Sequence, residues 1–155
     1  MSLGDLQACP WCVFVGTSAL FDLHMADHQK VDERRCQDED ILHEIKQERR
    51  RQDDKWGEQN HPDGTDTKWA VVANRMKAQC ERKARDGKLT FRDIFEEEIW
   101  EAYAETDETK LRAELIQAAA VLVNWIGAID RRRKKEKDQY DLDQQEQNRP
   151  NPRLM

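Results

Sequence analysis

Residues 108–126 read ETKLRAELIQAAAVLVNWI, and this stretch decides the fold class. Its apolar side chains recur at intervals of three and four positions: Leu111, Leu115, Ala118, Ala119, Leu122, Trp125 and Ile126. That spacing places them along one side of an α-helix, and the bases that follow residue 130 complement the negative end of the helix dipole. We therefore predict a helix over about 108–133.

Three more helices are predicted upstream, over about 31–56, 67–85 and 91–105. Gly57 and the turn-forming run at 60–64 separate the first helix from the second. Thr90, with Asp93 three residues later, is a variant of the capping box and begins the third helix. The expected fold class is all-α, a bundle of about four helices over residues 31–133.

Length and composition limit both the core and the ligands. The chain has 155 residues, 37% of them hydrophobic and 37% charged, so one domain with small appendages is expected, with little apolar surface to bury. Partner subunits are expected to complete the core. Asp and Glu total 32 against 26 Lys and Arg, and six of the bases lie in residues 131–137. The acidic remainder disfavours nucleic acid and suits Mg2+ carrying a small phosphorylated ligand.

Two expectations concern location and the C-terminus. No apolar run approaches the roughly 20 residues of a membrane span, and the N-terminus lacks a basic region followed by an apolar one. We therefore expect a cytoplasmic protein without a membrane partner. Residues 134–155 are rich in Gln, Asp, Asn and Pro, a composition that predicts a disordered polar tail.

The first 30 residues contain a metal-ligand pattern, Cys9-x2-Cys12-x11-His24-x3-His28. Two thiolates and two imidazoles at such spacings suit a tetrahedral zinc ion. We predict a zinc knuckle over residues 1–30 with a ββα-like form, in which a structural Zn2+ replaces a core. The pattern resembles the Cys2His2 zinc-finger family, with a middle spacer one residue shorter than the commonest form. The alternative is that the four residues are buried or incidental.

The predicted knuckle lacks the side chains with which a finger reads DNA. Between Val13 and Gln29 there is no Lys or Arg, whereas a DNA-reading helix presents such residues to bases and phosphates. A structural or protein-docking role is therefore favoured, and nucleic acid is an unlikely partner.

Acidic side chains are concentrated on the third and fourth predicted helices. Glu98 and Glu101 are three residues apart on one helix, and Glu114 and Gln117 are three apart on the next. Residues at that spacing share a helix face, so two antiparallel helices could aim these oxygens at one Mg2+ ion. The alternative is a solvated acidic face with local ion pairs.

These residues also carry a resemblance to a known family. Glu97-Glu98-x-x-Glu101 followed by Glu114-x-x-Gln117 resembles the EExxE and ExxD signature of MazG-like all-α nucleoside triphosphate pyrophosphohydrolases. In this chain Gln117 stands where the family has Asp, and an amide oxygen binds Mg2+ more weakly than a carboxylate.

The resemblance extends over about 90 residues, from Ile41 to Arg131. It includes the runs at 55–57 and 60–64, which are similar to those of small phage and actinobacterial members. It implies a helical bundle assembled as dimers or tetramers, dependence on Mg2+ or Mn2+, and hydrolysis of a (d)NTP to the monophosphate and pyrophosphate. The four ligands of the metal would be Glu98, Glu101, Glu114 and Gln117, with Glu97 supporting them or activating water.

Substrate residues are expected on the surrounding helices. Asn124 would contact the sugar or base, Trp56 or Trp69 would stack on the base, and Lys55 or Lys68 would meet phosphates. The alternatives are core tryptophans and solvated surface lysines. A rival hypothesis is an adaptor that has lost turnover, in which the knuckle docks a protein or a nucleic acid; Gln117 favours it. A DNA-binding regulator is a third class.

Overall fold

A computed structural model gives the fold of the chain and describes residues 6–10 and 12–148. The chain divides into two compact units between Gln47 and Glu48. The described residues are mostly helical, with one short hairpin, so the all-α class is confirmed.

The first described element of the first unit is a β-hairpin. Strand β1, Leu6–Ala8, pairs antiparallel with strand β2, Val15–Thr17. The Cys9 backbone N–H donates to the Phe14 carbonyl at 3.0 Å and tightens the connection between the strands. Helix α1, Ser18–Trp56, follows directly.

Helix α1 is one continuous helix of 39 residues, whereas the sequence predicted a helix in the knuckle and a separate one from about residue 31. No Gly or Pro lies between residues 18 and 56, so nothing in the backbone requires a break. The helix ends where predicted, at Gly57, which adopts the left-handed conformation at φ 68° and donates its N–H to the Asp53 carbonyl at 2.8 Å.

The second unit contains three further helices. A short 3-10 turn, Thr67–Trp69, leads into helix α2, Ala70–Arg85. Helix α3 spans Phe91–Ala104 and helix α4 spans Glu108–Gln147. The three starting points agree with the sequence prediction.

Helix α4 continues beyond its predicted end near residue 133. Residues 134–147 are helical and do not form the expected disordered tail. Gln, Glu, Lys and Asp dominate this segment, and the first three are good helix formers, so a solvent-exposed helix is compatible with the same composition. Residues 149–155 of the predicted tail lie outside the described part of the chain.

Side-chain caps mark the starts of α3 and α4 and of the 3-10 turn that precedes α2. Asp66 accepts from the Lys68 backbone N–H at 2.9 Å, and Asp107 accepts from that of Lys110 at 3.0 Å. At α3 the predicted capping box is present, since Thr90 and Asp93 each accept a hydrogen bond from the other's backbone N–H. These caps determine where α3 and α4 begin.

Helix α3 lies between α2 and α4 and packs against both. The buried apolar side chains of these helices are small or medium in size: Ala73, Cys80, Ala102, Leu111 and Ala118. Aromatic pairs add to the packing, with Phe91 stacked on Trp125 at 5.9 Å and Trp69 tilted against Trp100 at 5.7 Å between ring centroids. The core is thin, as the composition predicts.

Helix α4 has one property that the sequence analysis did not anticipate. It contains an 18-residue stretch that is long and apolar enough to cross a membrane, judged by length and composition alone. The mostly buried core helix of a soluble protein meets the same criterion, whereas only 11% of this stretch is buried; the helix packs against α3.

Candidate functional site

The four predicted zinc ligands lie together in the first unit. One ligand atom from each of Cys9, Cys12, His24 and His28 falls within 4.8 Å of the others. The hairpin supplies the two sulfur atoms, and the two histidines, four residues apart, share one face at the beginning of α1. These residues could bind a zinc ion.

The interatomic distances match a tetrahedral set of ligands. Cys9 Sγ is 3.5 Å from His28 Nε2, Cys12 Sγ is 3.2 Å from His24 Nε2, and the two Nε2 atoms are 3.1 Å apart. With Zn–S near 2.3 Å and Zn–N near 2.05 Å, a tetrahedral ion separates sulfur from nitrogen by about 3.5 Å and two nitrogens by about 3.3 Å. The observed spacings are within a few tenths of an ångström of those values.

Neighbouring groups hold this cluster in place. The Phe14 ring stacks on His24 with the centroids 4.2 Å apart and the planes 16° apart. Cys9 is buried whereas Cys12 is exposed, so the cluster is covered on one side and open on the other.

The second unit brings together three of the predicted carboxylates. Glu98 and Glu101 of α3 and Glu114 of α4 each place one oxygen within 4.8 Å of the other two, and all three side chains are half-buried. Two features produce this arrangement: the spacing of three on α3, and the short break at 105–107 that returns α4 alongside α3.

Burial and neighbouring carboxylates raise the pKa of Glu98 and of Glu114. Burial raises the pKa of Glu98 above its ordinary value, and the charges of Glu101, Glu97 and Glu114 raise it further. Burial also raises the pKa of Glu114, followed by the charges of Glu101 and Glu105. Half-buried carboxylates that disfavour each other's ionisation form a site where an added cation is stabilised.

Among the described hydrogen bonds, one joins a base, Lys77 of α2, to the acidic cluster. Its ammonium donates to Glu101 Oε1 at 2.9 Å. The hydrogen bond to Glu101 raises the pKa of Lys77, and the charge of Lys77 in turn opposes the rise in the pKa of Glu98 and Glu114. Lys77 therefore belongs to the same electrostatic cluster as the three acids.

Gln117, the fourth predicted ligand, is exposed and lies beside the cluster. Its side-chain amide donates to Glu114 Oε2 at 2.9 Å, so its nitrogen faces Glu114. In this arrangement Gln117 orients one carboxylate of the cluster through a hydrogen bond.

Glu97 is linked to α2 through Cys80. Burial of the Cys80 thiol has the larger effect on its pKa, and a hydrogen bond to Glu97 has the next largest. Together they raise the pKa of Cys80 to about 12. The half-buried Glu97 thus lies next to the three clustered acids and faces partly toward α2.

The predicted substrate residues are exposed or lie at the edge of a surface depression. Lys55 Nζ is 4.6 Å from the centroid of the Trp56 ring. Trp56 lines an open depression together with loop residues: Glu58, Gln59, Asn60 and His61. Asn124 is exposed on α4, and Trp69 packs against Trp100, which agrees with its alternative reading as a packing residue.

Sequence reasoning missed Lys77 and Cys80 as neighbours of the acidic cluster. In the sequence, Cys80 continues the apolar spacing of its helix, and Lys77 is one of several bases on that helix. The signal that could have identified Lys77 is its position between Ala73 and Cys80, which are both buried.

Comparison with known proteins adds no relative: no family model matches the chain, and neither the curated proteins nor the solved structures contain a significant match.

Proposed function

We propose that the protein is a divalent-metal-dependent nucleoside triphosphate pyrophosphohydrolase of the MazG-like type, with a first unit built around a structural zinc ion. The observation that carries the proposal is the convergence of Glu98, Glu101 and Glu114 on one point between α3 and α4. Hard divalent cations such as Mg2+ or Mn2+ prefer carboxylate oxygens, water and phosphate as ligands. A cluster of half-buried carboxylates fits that preference.

The reaction would be hydrolysis of a (d)NTP to the (d)NMP and pyrophosphate. Glu98, Glu101 and Glu114 would hold the cation, which supplies charge neutralisation at the phosphates when bound. Water adds to the phosphorus, the anhydride P–O bond breaks, and pyrophosphate leaves. Glu97, the neighbour of Glu98 on α3, would accept the proton of the water, and Gln117, which donates a hydrogen bond to Glu114, would orient that carboxylate.

Substrate binding is assigned to residues that remain accessible. Trp56 exposes 56% of its surface, and the depression that it lines is bordered by polar loop residues. An exposed aromatic ring with an adjacent ammonium, that of Lys55, suits a base and a phosphate. The side-chain amide of Asn124 would contact the sugar or base.

The experiment is a pyrophosphate-release assay with a panel of NTPs and dNTPs in Mg2+ or Mn2+. Glu101→Gln should lower the rate by about 100-fold or more, since it removes a preorganised charge from the site. The matched control is Glu96→Gln, on the same helix, where the carboxylate pairs with Arg92 at 2.7 Å outside the cluster. A Glu101→Gln rate equal to that of the wild type would refute the proposal.

One observation favours a second candidate function, an adaptor without turnover. Gln117 leaves three carboxylates at the four proposed metal-ligand positions, whereas the Asp of the family signature would supply a fourth. If no nucleotide in the panel releases pyrophosphate while the purified chain retains zinc, the adaptor is supported. The same assay on Gln117→Asp then tests whether the missing carboxylate is responsible.

A further inference from the structure

The ion pair between Lys77 and Glu101 joins two helices across the edge of the acidic cluster. The ammonium lies 2.9 Å from Oε1 of Glu101, and one carboxylate oxygen of Glu101 lies within 4.8 Å of an oxygen of Glu98 and of Glu114. The two partners are 24 residues apart in the chain, so the contact depends on how α2 packs against α3. It is the point at which α2 reaches the cluster.

The position of Lys77 on its helix explains why its charge reaches the cluster. Ala73 lies one turn before it and Cys80 one turn after it, and both are buried. The lysine stem therefore starts on the packed side of α2. Its side chain is still 52% exposed, so solvent reaches the lysine while its ammonium contacts Glu101.

From this geometry we infer that Lys77 is a phosphate-binding residue of the acidic site, held by Glu101 until a divalent cation takes over that carboxylate. The inference rests on the proposed function. In the absence of the cation, the ammonium offsets one of three negative charges. A bound cation would take Glu101 as a ligand, and the Lys77 ammonium would then be free to meet a phosphate group beside it.

Exposure makes this exchange possible. A partly exposed ion pair contributes little stability, so Lys77 can leave Glu101 without unfolding the helix interface. An ammonium is a flexible, strongly hydrated point charge and a common phosphate partner. Lys77 therefore competes with the cation for Glu101, which lowers the affinity for the cation. Beside a bound cation it also attracts the triphosphate, which raises the affinity for the triphosphate.

The test measures two affinities of the full-length protein. Free Mn2+ is followed by electron paramagnetic resonance, and inorganic tripolyphosphate is titrated calorimetrically in saturating Mn2+, so that no base preference is required. Lys77→Met should bind Mn2+ about two- to fivefold more tightly, the range expected for a partly exposed ion pair, and should bind tripolyphosphate more weakly. Lys77→Arg, which keeps the charge, should largely retain both affinities.

Lys134→Met is the matched control, because it removes the same charge from an exposed position on α4 that is 20 residues, or about 30 Å, from Glu114. It should leave both affinities unchanged. If Lys77→Met weakens both affinities or changes neither, Lys77 has only a structural role and the inference is overturned. If the wild type binds no Mn2+, the proposed function fails with it.

Discussion

Asp93 is a buried carboxylate, 5% exposed, at the start of the helix that carries Glu98 and Glu101. The hydrogen bond from Lys83 has the largest effect on the pKa of Asp93, and the hydrogen bonds from Thr90 add to it. Together they lower this pKa to about 2. The ionised side chain is the form that the folded state stabilises. Its role is to connect α2 to the cap of α3.

The shift of the Asp93 pKa predicts a specific loss of stability in acid. The contribution of ionised Asp93 to the stability of the folded state is complete above the ordinary pKa of 3.8 and is lost as the pH falls toward about 2. The free energy of unfolding should therefore fall more steeply between about pH 4 and pH 2 in the wild type than in Asp93→Asn. Urea unfolding followed by circular dichroism measures it, and equal slopes would contradict the prediction. Glu98 and Glu114 titrate in both proteins, so the difference isolates Asp93.

At the scale of elements, the beginning of α1 should depend on zinc. Cys9 and Cys12 lie on the hairpin and His24 and His28 on the helix, so one ion would join the two elements. In small metal sites, coordination and folding are coupled. We expect the first turns of α1 to lose helicity when the ion is removed.

The measurement is zinc content together with circular dichroism at 222 nm, before and after chelation. The wild type should carry about one zinc per chain and lose helical signal on chelation, and Cys12→Ser should not retain zinc. Cys36→Ser is the matched control, because Cys36 is an exposed cysteine further along α1, and it should behave as the wild type. Zinc retention by Cys12→Ser would argue against the Cys2His2 site.

The elements also show how far the sequence can be interpreted. The starts of α3 and α4 were predictable because Thr90 and Asp107 are local capping signals. The lengths of α1 and α4 were not, because charged residues that form a solvated helix also compose disordered segments. The three carboxylates followed from helical spacing, whereas the contact of Lys77 with Glu101 depends on the rotation of one helix against another, which no local pattern encodes.

At the scale of the whole molecule, α4 leaves an apolar stripe in solvent. Leu115, Leu122 and Ile126 are 36–46% exposed, and their spacing of seven and four places them along one side of the helix. A thin core and an exposed stripe are typical of a chain completed by another copy. The dimer or tetramer that the sequence suggested remains a prediction, and this stripe is where we expect its contact.

Sedimentation velocity tests that expectation. The double variant Leu115→Glu and Leu122→Glu should sediment as a monomer with its helical signal intact, whereas the wild type should form a larger species. The control is Tyr140→Glu with Leu142→Glu, which changes two more exposed residues further along α4 and should keep the size of the wild type. A monomeric wild type would remove the basis for a self-association contact at this stripe.

Because α3 and α4 begin at fixed caps, the number of residues between each cap and the acidic cluster cannot change freely. Each residue inserted into a helix turns everything beyond it by about 100°, so one extra residue between Thr90 and Glu98, or between Asp107 and Glu114, would carry carboxylates away from their common point. Insertions and deletions should thus be excluded from these two intervals. They should leave the acidic cluster intact in the loop over residues 57–66, where Gly57 and Gly64 already give the backbone left-handed turns, and in the part of α4 beyond residue 131, where few side chains are covered.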